Sequence, residues 1–566
     1  MGNNLELKLF LKCDIVITCG FQGFDGLVKS PDLSEPVSGS HSSLILLDAE
    51  PSMTFSLFFD FLRIHQGLRN MIIFTHHTGE PHGILGAQAA ATFLQRKLSI
   101  PSIVVGIERA FSKEQLFRFI DEYYAGKWSP AGKSTSSIQG SCGATSRSKN
   151  RACTPKWLPS SSHYTEAGVT ARRRDYLLPG EKVVAFSHLC GRIDIIELIQ
   201  EIKQKGFITI LGGPQARKDY DGEPNIDSYP HRFKGLKSVI DIAFQGPVDG
   251  FRSEYLSLSD RVHEHPWAKN IFLEVDWSNI YTFSDTLKKL EVQLGQVLNA
   301  IGCPYASKLQ TIILPPPVNL RERGIPDLEA RSEGCIFCDI SKDKGYHGSI
   351  ERDRIITQIL GLPEIDGRKI PFELIDEYPI RSLGKLLEDT EKEEIKLSQI
   401  NLVCRVDDIN AHASDLVEIL SLARRQDVKI MFASIGFESF CDQLLQYFCK
   451  GITMADIVKC VKTLRRLKDR FGSHFLYRRD EGANHGFIRP TPWDDSGILQ
   501  EIDTNIFLHR FYEDILPEHS TPLIIHHASY LGDWIRQIES MADITFSRDG
   551  TWIEWWNPSP RGNNLF

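Results

Sequence analysis

The sequence predicts an α/β protein made of two successive parallel-sheet units, a doubly wound domain over residues 69–260 followed by a complete or partial (β/α) barrel over residues 331–500. Three observations predict it. Short apolar runs alternate with longer amphipathic stretches in both regions, as strand and helix repeats do. Glycines and polar residues collect just after the apolar runs, where parallel sheets and barrels carry their ligand loops. The composition, 42% apolar and 24% charged over 566 residues, is that of a globular chain long enough for several cores.

In the first unit, MIIFTHH (71–77) reads as a buried strand, ILGAQAAATFLQRKL (84–98) as a helix and SIVVGIE as a strand. SKEQLFRFIDEYY is a helix opened by an N-cap serine, Ser112. Residues 126–179 break the rhythm with the Ser, Gly, Lys and Arg rich stretch GKSTSSIQGSCGATSRSKNR, whose composition is that of a disordered insertion. KVVAFSHL resumes as a strand, DIIELIQEIKQKG as a helix ending at a glycine, FITILGGPQA as a strand running into a glycine loop, and DIAFQGP as a further strand. Strands alternating with helices imply right-handed crossovers and hence a parallel sheet. Residues 1–68 receive no assignment.

Residues 261–330, including LPPPVNLRERGIPDLEA, read as a connecting region. A second series then follows: PFELIDE (371–377), INLVCRVD and VKIMFASIGFES as strands, separated by SLGKLLEDTEKEEI and DLVEILSLARRQD as helices. GITMADIVKCVKTLRRLKDRFG supplies a long amphipathic helix and HGFIRPTPW a further strand end. The strand ends bring forward Asp376, Glu377, Arg405, Asp407, Glu438, Ser439 and the stretch from His485 to Trp493. The C-terminal extension, 501–566, reads either as a closure of the barrel or as part of a substrate pocket.

A formal net charge of -8 argues against nucleic acid or an anionic membrane as the main partner. Apolar runs fall short of the roughly 18 residues that a spanning helix needs. MGNNLELKLF lacks the apolar core of a secretory signal, so a cytoplasmic location is expected. In a reducing compartment the twelve cysteines read as thiols or ligands more readily than as disulfides.

Two cysteines stand out. RSEGCIFCDIS, 331–341, spaces Cys335 and Cys338 as ligands of a metal centre are spaced. A lone CxxC also fits half of a zinc site or a redox pair, but no second CxxC or HxxxH pair completes the former by spacing. GCIFCDIS followed by LIDEYPI, CRVD, SIGFESFCDQLLQYFCKGIT and HGFIRPTPW resembles the core of the cobalamin-dependent radical SAM proteins. EPHGILGA, SHLCGR and GGPQA after successive strands resemble the Rossmann-like cobalamin-binding domain that precedes such a core. The resemblance covers roughly residues 69–500.

The resemblance implies a 4Fe-4S cluster held by three cysteines of a CxxxCxxC loop, with S-adenosylmethionine on the fourth iron. One electron then cleaves S-adenosylmethionine to methionine and a 5'-deoxyadenosyl radical. In methyltransferase members cobalamin supplies the methyl group. Cys335 and Cys338 match the second and third cysteines, while Arg331 occupies the place of the first. An arginine is always protonated and cannot ligate iron. Cys303, Cys404 and Asp339 are therefore candidates to complete the shell, and the alternative is a noncatalytic relative that binds cobalamin, S-adenosylmethionine or a protein partner.

By the same resemblance, Asp376 and Glu377 face the ammonium of S-adenosylmethionine, Arg405 its carboxylate, and Glu438 lines a later contact strand. Each has a plainer reading, as a solvated strand end or, for Arg405, an ion pair with Asp407 or Asp408. Pro492 and Trp493 read as packing. Gly212, Gly213 and Pro214 are the expected seat of the cobalamin tail, although a GGP is also an ordinary tight turn. The chain lacks the DxHxxG motif of a lower axial histidine, and His76, His77 and His82 are possible neighbours only. The HHAS stretch stays unassigned. The partners implied are a small-molecule substrate and a reductant protein such as a ferredoxin or flavodoxin, with no nucleic acid and no membrane.

Overall fold

A computed structural model of the chain describes residues 5–10, 16–21, 70–128, 182–187, 191–252, 255, 260–338 and 347–560. Most of residues 1–68, most of the expected insertion at 126–179, and Asp339 lie outside the described residues. The chain divides into two units, Met1–Gly67 with Trp157–Gly180, and Leu68–Lys156 with Glu181–Phe566. In the first, strand β1 (Leu5–Phe10) pairs antiparallel with β2 (Val16–Phe21).

The second unit holds two parallel sheets. The first contains β3 (Met71–His76), β4 (Ser102–Ile107), β5 (Val183–Ser187), β6 (Ile208–Gly212), β7 (Ile242–Gln245), β8 (Val262–Glu264), β9 (Ile280–Phe283) and β10 (Leu287–Lys289). Their order is β10-β9-β4-β3-β5-β6-β7-β8. Every ladder is parallel except the one joining β9 to β10. The continuous apolar run of β3 has its cause here. Met71 and Ile73 enter one core while Ile72 and Phe74 enter another, so both faces of the sheet are buried. Helix Leu85–Lys97 covers the first face, and helices Lys113–Tyr124 and Ile193–Gln204 cover the second. Ser112 caps the Lys113–Tyr124 helix by accepting from the Gln115 N–H, as its sequence position predicts.

The second sheet joins β11 (Gly295–Leu298) to the strands Phe372–Ile375, Gln399–Arg405, Lys429–Glu438 and Phe475–Leu476, and Gly486–Phe487 pairs with Lys429–Glu438. All of these ladders are parallel. Among the described residues no ladder joins the two ends, so of the two forms expected this is the open one. Helices Ile380–Lys392, Asp415–Arg425 and Met454–Phe471 back it with their leucine and isoleucine stripes. The last begins with a reciprocal capping box between Thr453 and Asp456.

Two sequence expectations need correction. The stretch 261–330 is not simply a connection, because it supplies β8, β9 and β10 to the first sheet and β11 to the second. It also supplies most of an antiparallel hairpin, Leu309–Leu314 with Leu328–Glu333, which lies between β11 and the CxxC. Those joining the two sheets are three or four residues long, too short for a period to show. The C-terminal extension forms a helix, Tyr530–Ala542, and a sheet ordered Ile525–His526, Trp552–Pro560, Ile544–Asp549. It docks on the first sheet domain through buried charges, and Trp534 packs on Trp493 with ring centroids 5.3 Å apart. Among the described residues no helix is long and apolar enough to cross a membrane.

Candidate functional site

The strands of the second sheet present one face to the helices and the other away from them. Along Gln399–Arg405, the side chains of Ile400, Leu402 and Cys404 are buried in the core, whereas Val403 on the opposite face is 37% exposed. Arg405 shares Val403's face and closes the strand's carboxyl end. The parallel register sets Arg405 beside Gly436 of the next strand, and Gly436 beside Gly486 of the one after.

Arg405 is the hub. Its Nη1 donates to Cys335 Sγ at 3.3 Å, its Nη2 to the Lys450 carbonyl at 2.8 Å and its Nε to Asp407 Oδ1 at 2.9 Å. Its guanidinium stacks 4.1 Å from the centre of the Tyr305 ring. Asp407 is held in turn by the Tyr378 hydroxyl, which donates to Oδ2 at 2.7 Å. Burial pulls the Arg405 pKa down, but the Cys335 sulfur and the Asp407 carboxylate outweigh it and the net direction is up.

A second buried cation stands nearby. Lys450 Nζ donates to Glu438 Oε1 at 2.8 Å. Burial lowers the ammonium's pKa, the Glu438 carboxylate and the Cys335 sulfur raise it, and the sum is upward. Glu438 sits at φ +63°, a conformation that costs a non-glycine residue strain. Its carboxylate lies over Gly436 and Gly486, where a Cβ on either would come within 2.7 Å of its oxygens. The glycines are therefore needed to seat Glu438, and the strain is located at the strand end.

The cysteines fall into two groups. Cys303 follows β11, and its loop runs alongside the Cys335 loop, because the Gly334 N–H donates to the Lys308 carbonyl and Gln310 Nε2 to the Gly334 carbonyl. Burial raises the Cys303 thiol, with Glu377 adding to it and Arg405 opposing. Cys303 and Cys335 thus share the field of one guanidinium. Cys449 also feels the Cys335 sulfur and is pushed up to about 12, chiefly by burial. Cys404 belongs elsewhere. It is wholly buried on the helix side with Cys460 and Asp408, and burial drives its pKa far up.

Of the residues singled out in the sequence, the structure brings together Cys335, Arg405, Asp407 and, through Lys450, Glu438. Asp376 accepts from Asn299 Nδ2 at 2.6 Å and from the Tyr378 N–H at 2.8 Å, so its carboxylate ties the end of β11 to the turn after its own strand. Glu377 is felt by Cys303. Arg331 does not stand beside Cys335 in a common loop. It occupies the outer hairpin strand opposite Thr311, with its side chain 73% exposed and paired to Glu329 at 3.4 Å. Trp493 is packing, as expected, with its indole donating to the Pro315 carbonyl. His485 is structural, accepting from the Ile435 N–H and contacting the Tyr477 carbonyl, and burial lowers it to about 4.

Sequence reasoning missed Lys450, Tyr305 and Tyr378. The one available signal was GCPY, a cysteine loop directly after the apolar VLNAI.

In the first sheet, Gly212 ends β6 and Gly213 adopts φ +137°. A Cβ at Gly212 would meet only the Phe186 carbonyl, at 3.9 Å. Pro214 continues this loop toward helix Ala216–Asp221. His77 is engaged at both ring nitrogens, Nδ1 accepting from the Gly79 N–H at 2.9 Å and Nε2 facing the His82 carbonyl at 3.3 Å. Asp219, His526 and His527 place three donor atoms within 4.8 Å of one another. The Ala528 N–H donates to His526 Nδ1, which puts the His526 proton on Nε2, toward Asp219. That tautomer makes the trio a hydrogen-bonded clamp rather than a metal site.

No protein-family model matches the chain, and no curated protein matches it. The solved structures similar to it include two of the cobalamin-dependent S-adenosylmethionine radical enzyme OxsB. The apo, selenomethionine-labelled form is 10% identical over 87% of this chain and 65% of its own, with a TM-score of 0.46. The form with aqua-cobalamin bound has the same identity and coverage and a TM-score of 0.45. The chain thus spans about 65% of the length of either.

Proposed function

We propose that this chain is a cobalamin-dependent radical SAM-type enzyme whose cluster loop is split by an inserted hairpin, with Cys303, Cys335 and Cys338 as the three ligands of a 4Fe-4S cluster. The carrying observation is that Arg405 bonds the Cys335 sulfur and its field reaches the Cys303 thiol, while the chain following Cys303 pairs with the chain preceding Cys335 through Lys308 and Gly334. The donor chemistry fits, since thiolates are the ligands iron-sulfur clusters take. When bound, such a cluster supplies one electron for cleavage of S-adenosylmethionine, and cobalamin supplies a methyl group to a small-molecule substrate.

The chain's own groups divide the remaining work. Arg405 and Lys450 hold positive charge against the thiolate side. The glycines at 436 and 486 make room for the Glu438 carboxylate, and Glu377 lies within electrostatic reach of Cys303. For cobalamin the supporting observation is the backbone room at Gly212 with the turn at Gly213 and Pro214. His77 does not serve as an axial ligand, because both of its nitrogens are engaged.

A second reading, a noncatalytic relative, has one observation in its favour: Asp376, Arg405 and Glu438 each already have a protein partner. Iron counting after anaerobic reconstitution separates the two. The first reading predicts about four irons per chain in the unmodified protein and in Cys404→Ser, with loss in Cys303→Ser, Cys335→Ser and Cys338→Ser. Full iron in Cys303→Ser would remove that ligand, and no iron in folded unmodified protein would favour the second reading.

A further inference from the structure

We infer that Arg405 sets the reduction potential of the cluster rather than gripping a ligand carboxylate. This rests on the reading of Cys335 as a cluster ligand. The guanidinium has three engaged edges and one engaged face: Nη1 on the Cys335 sulfur, Nη2 on the Lys450 carbonyl, Nε on Asp407 and its plane on Tyr305. Nη2 also reaches Asp407 Oδ2 at 3.5 Å, so four of the five N–H groups are engaged and no pair is left to take a carboxylate bidentately. What it offers is a charge-assisted N–H donor to a ligand sulfur, in a site where Arg405 is buried and the local field is correspondingly strong.

The consequence follows from charge. Reduction adds one electron to the cluster, and a buried cation bonded to a ligand sulfur stabilises the more negative state. Hydrogen bonds to cluster sulfurs and net charge are two of the quantities that set such potentials. Asp407 acts in the opposite sense, since its carboxylate partly neutralises the guanidinium and is itself oriented by Tyr378. Lys450 adds a second positive charge within electrostatic reach of the Cys335 sulfur, tempered by Glu438. Arg405 is a positioning and field residue that acts through Cys335.

The test is an EPR-monitored redox titration of the reconstituted full-length protein with dithionite as the reductant. Arg405→Gln removes the charge and shifts the midpoint potential down. Asp407→Asn frees the guanidinium from its counter-charge and shifts it up. Arg405→Lys keeps the charge but loses the fork, and falls between Arg405→Gln and the unmodified protein. Arg331→Ala, remote on the hairpin, leaves the potential unchanged. A purely structural role for Arg405 predicts no opposed pair of shifts.

If Arg405→Gln fails to fold, the Arg405→Lys and Asp407→Asn pair still decides, because the account requires shifts of opposite sign. Unaltered potentials in cluster-loaded variants overturn this inference and leave the proposed function standing. An unmodified, folded protein that assembles no cluster overturns the proposed function, and this inference with it.

Discussion

At the junction with the C-terminal segment, Asp219, Glu223 and Glu539 meet Arg232, Arg536, Arg548 and three histidines, whereas at the mouth of the barrel Arg405 and Lys450 meet Asp407, Glu438 and a sulfur. In the first cluster the exchange is reciprocal. Arg548 bonds Glu223 at 2.8 and 3.0 Å and Glu539 at 2.7 Å, Arg536 bonds Glu223 at 3.0 Å, and His231 and Arg232 close on Glu539. Glu223 and Glu539 face three guanidiniums and Asp219 faces two histidines, so three carboxylates and three guanidiniums balance once the histidines are neutral. In the second, a cation is aimed at a thiol, a glutamate is held at positive φ, and the neighbouring strand face is open. The difference teaches that burial and charge alone do not mark a reactive site. The second cluster is set apart by a cation bonded to a thiol and by strain at a strand end.

The largest effect is expected where the pairing is most complete. Arg548→Met strands both Glu223 and Glu539 without their shared partner, and removing one member of a buried charge network costs about 3–5 kcal/mol. Chemical denaturation followed by circular dichroism reads this directly. A change under 1 kcal/mol would mean that the junction is solvated and the contrast with the barrel mouth is false.

Acid should loosen the same junction next. Burial raises the Asp219 and Glu223 carboxyls, but the histidine N–H groups hold the first at about 2 and Arg548 and Arg536 hold the second at about 2. Both folded values lie below the ordinary carboxylate range, so the unfolded chain binds more protons as pH falls. Their stabilising contribution is full above about pH 4.5 and is lost between there and pH 2, to the extent of a few kcal/mol. His527, lowered mainly by burial, acts in the same direction, because its protonation also favours the unfolded chain. Thermal melts at stepped pH should show stability falling monotonically through this range. A flat profile would contradict the assignment.

At the barrel mouth, Gly486→Ala would drive a Cβ to within 2.7 Å of Glu438 Oε2. The cost expected is about 1–3 kcal/mol, as for other overpacked sites, with disturbance of the Glu438 and Lys450 pair. Denaturation and the charge-sensitive EPR signal of a loaded cluster would both register it. The smallest effect belongs to Arg331→Ala. An exposed pair such as Arg331 with Glu329 is worth about 0–1 kcal/mol, and iron content should not change. A loss of iron there would restore position 331 to the cluster loop.

Much of the fold was legible because its periodicity is local. MIIFT and SIVVGI are runs dominated by apolar residues, and each is buried on both faces of the sheet. The strands that escaped notice, GQVL and IYTF, are four residues long, too short for a period to show. The site was legible in part for the same reason. Cys335 and Cys338 announce themselves by spacing, and Arg405 and Glu438 by sitting at strand ends. Cys303 was one of three candidates for the remaining ligand and nothing in its spacing singled it out, because a hairpin separates it in sequence from the Cys335 loop. Lys450 and Tyr305 carry no local pattern, since their meeting depends on two distant loops converging. The C-terminal junction is illegible in principle from local pattern, as Glu223 and Arg548 belong to opposite ends of the described unit.

The central claim is that a redox cluster sits on the Cys303, Cys335 and Cys338 loops. EPR of anaerobically reconstituted, dithionite-reduced protein, recorded with and without S-adenosylmethionine, tests it most directly. The account predicts a reduced 4Fe-4S signal that changes on addition of S-adenosylmethionine and disappears in Cys303→Ser. Folded protein with no reducible cluster would contradict it.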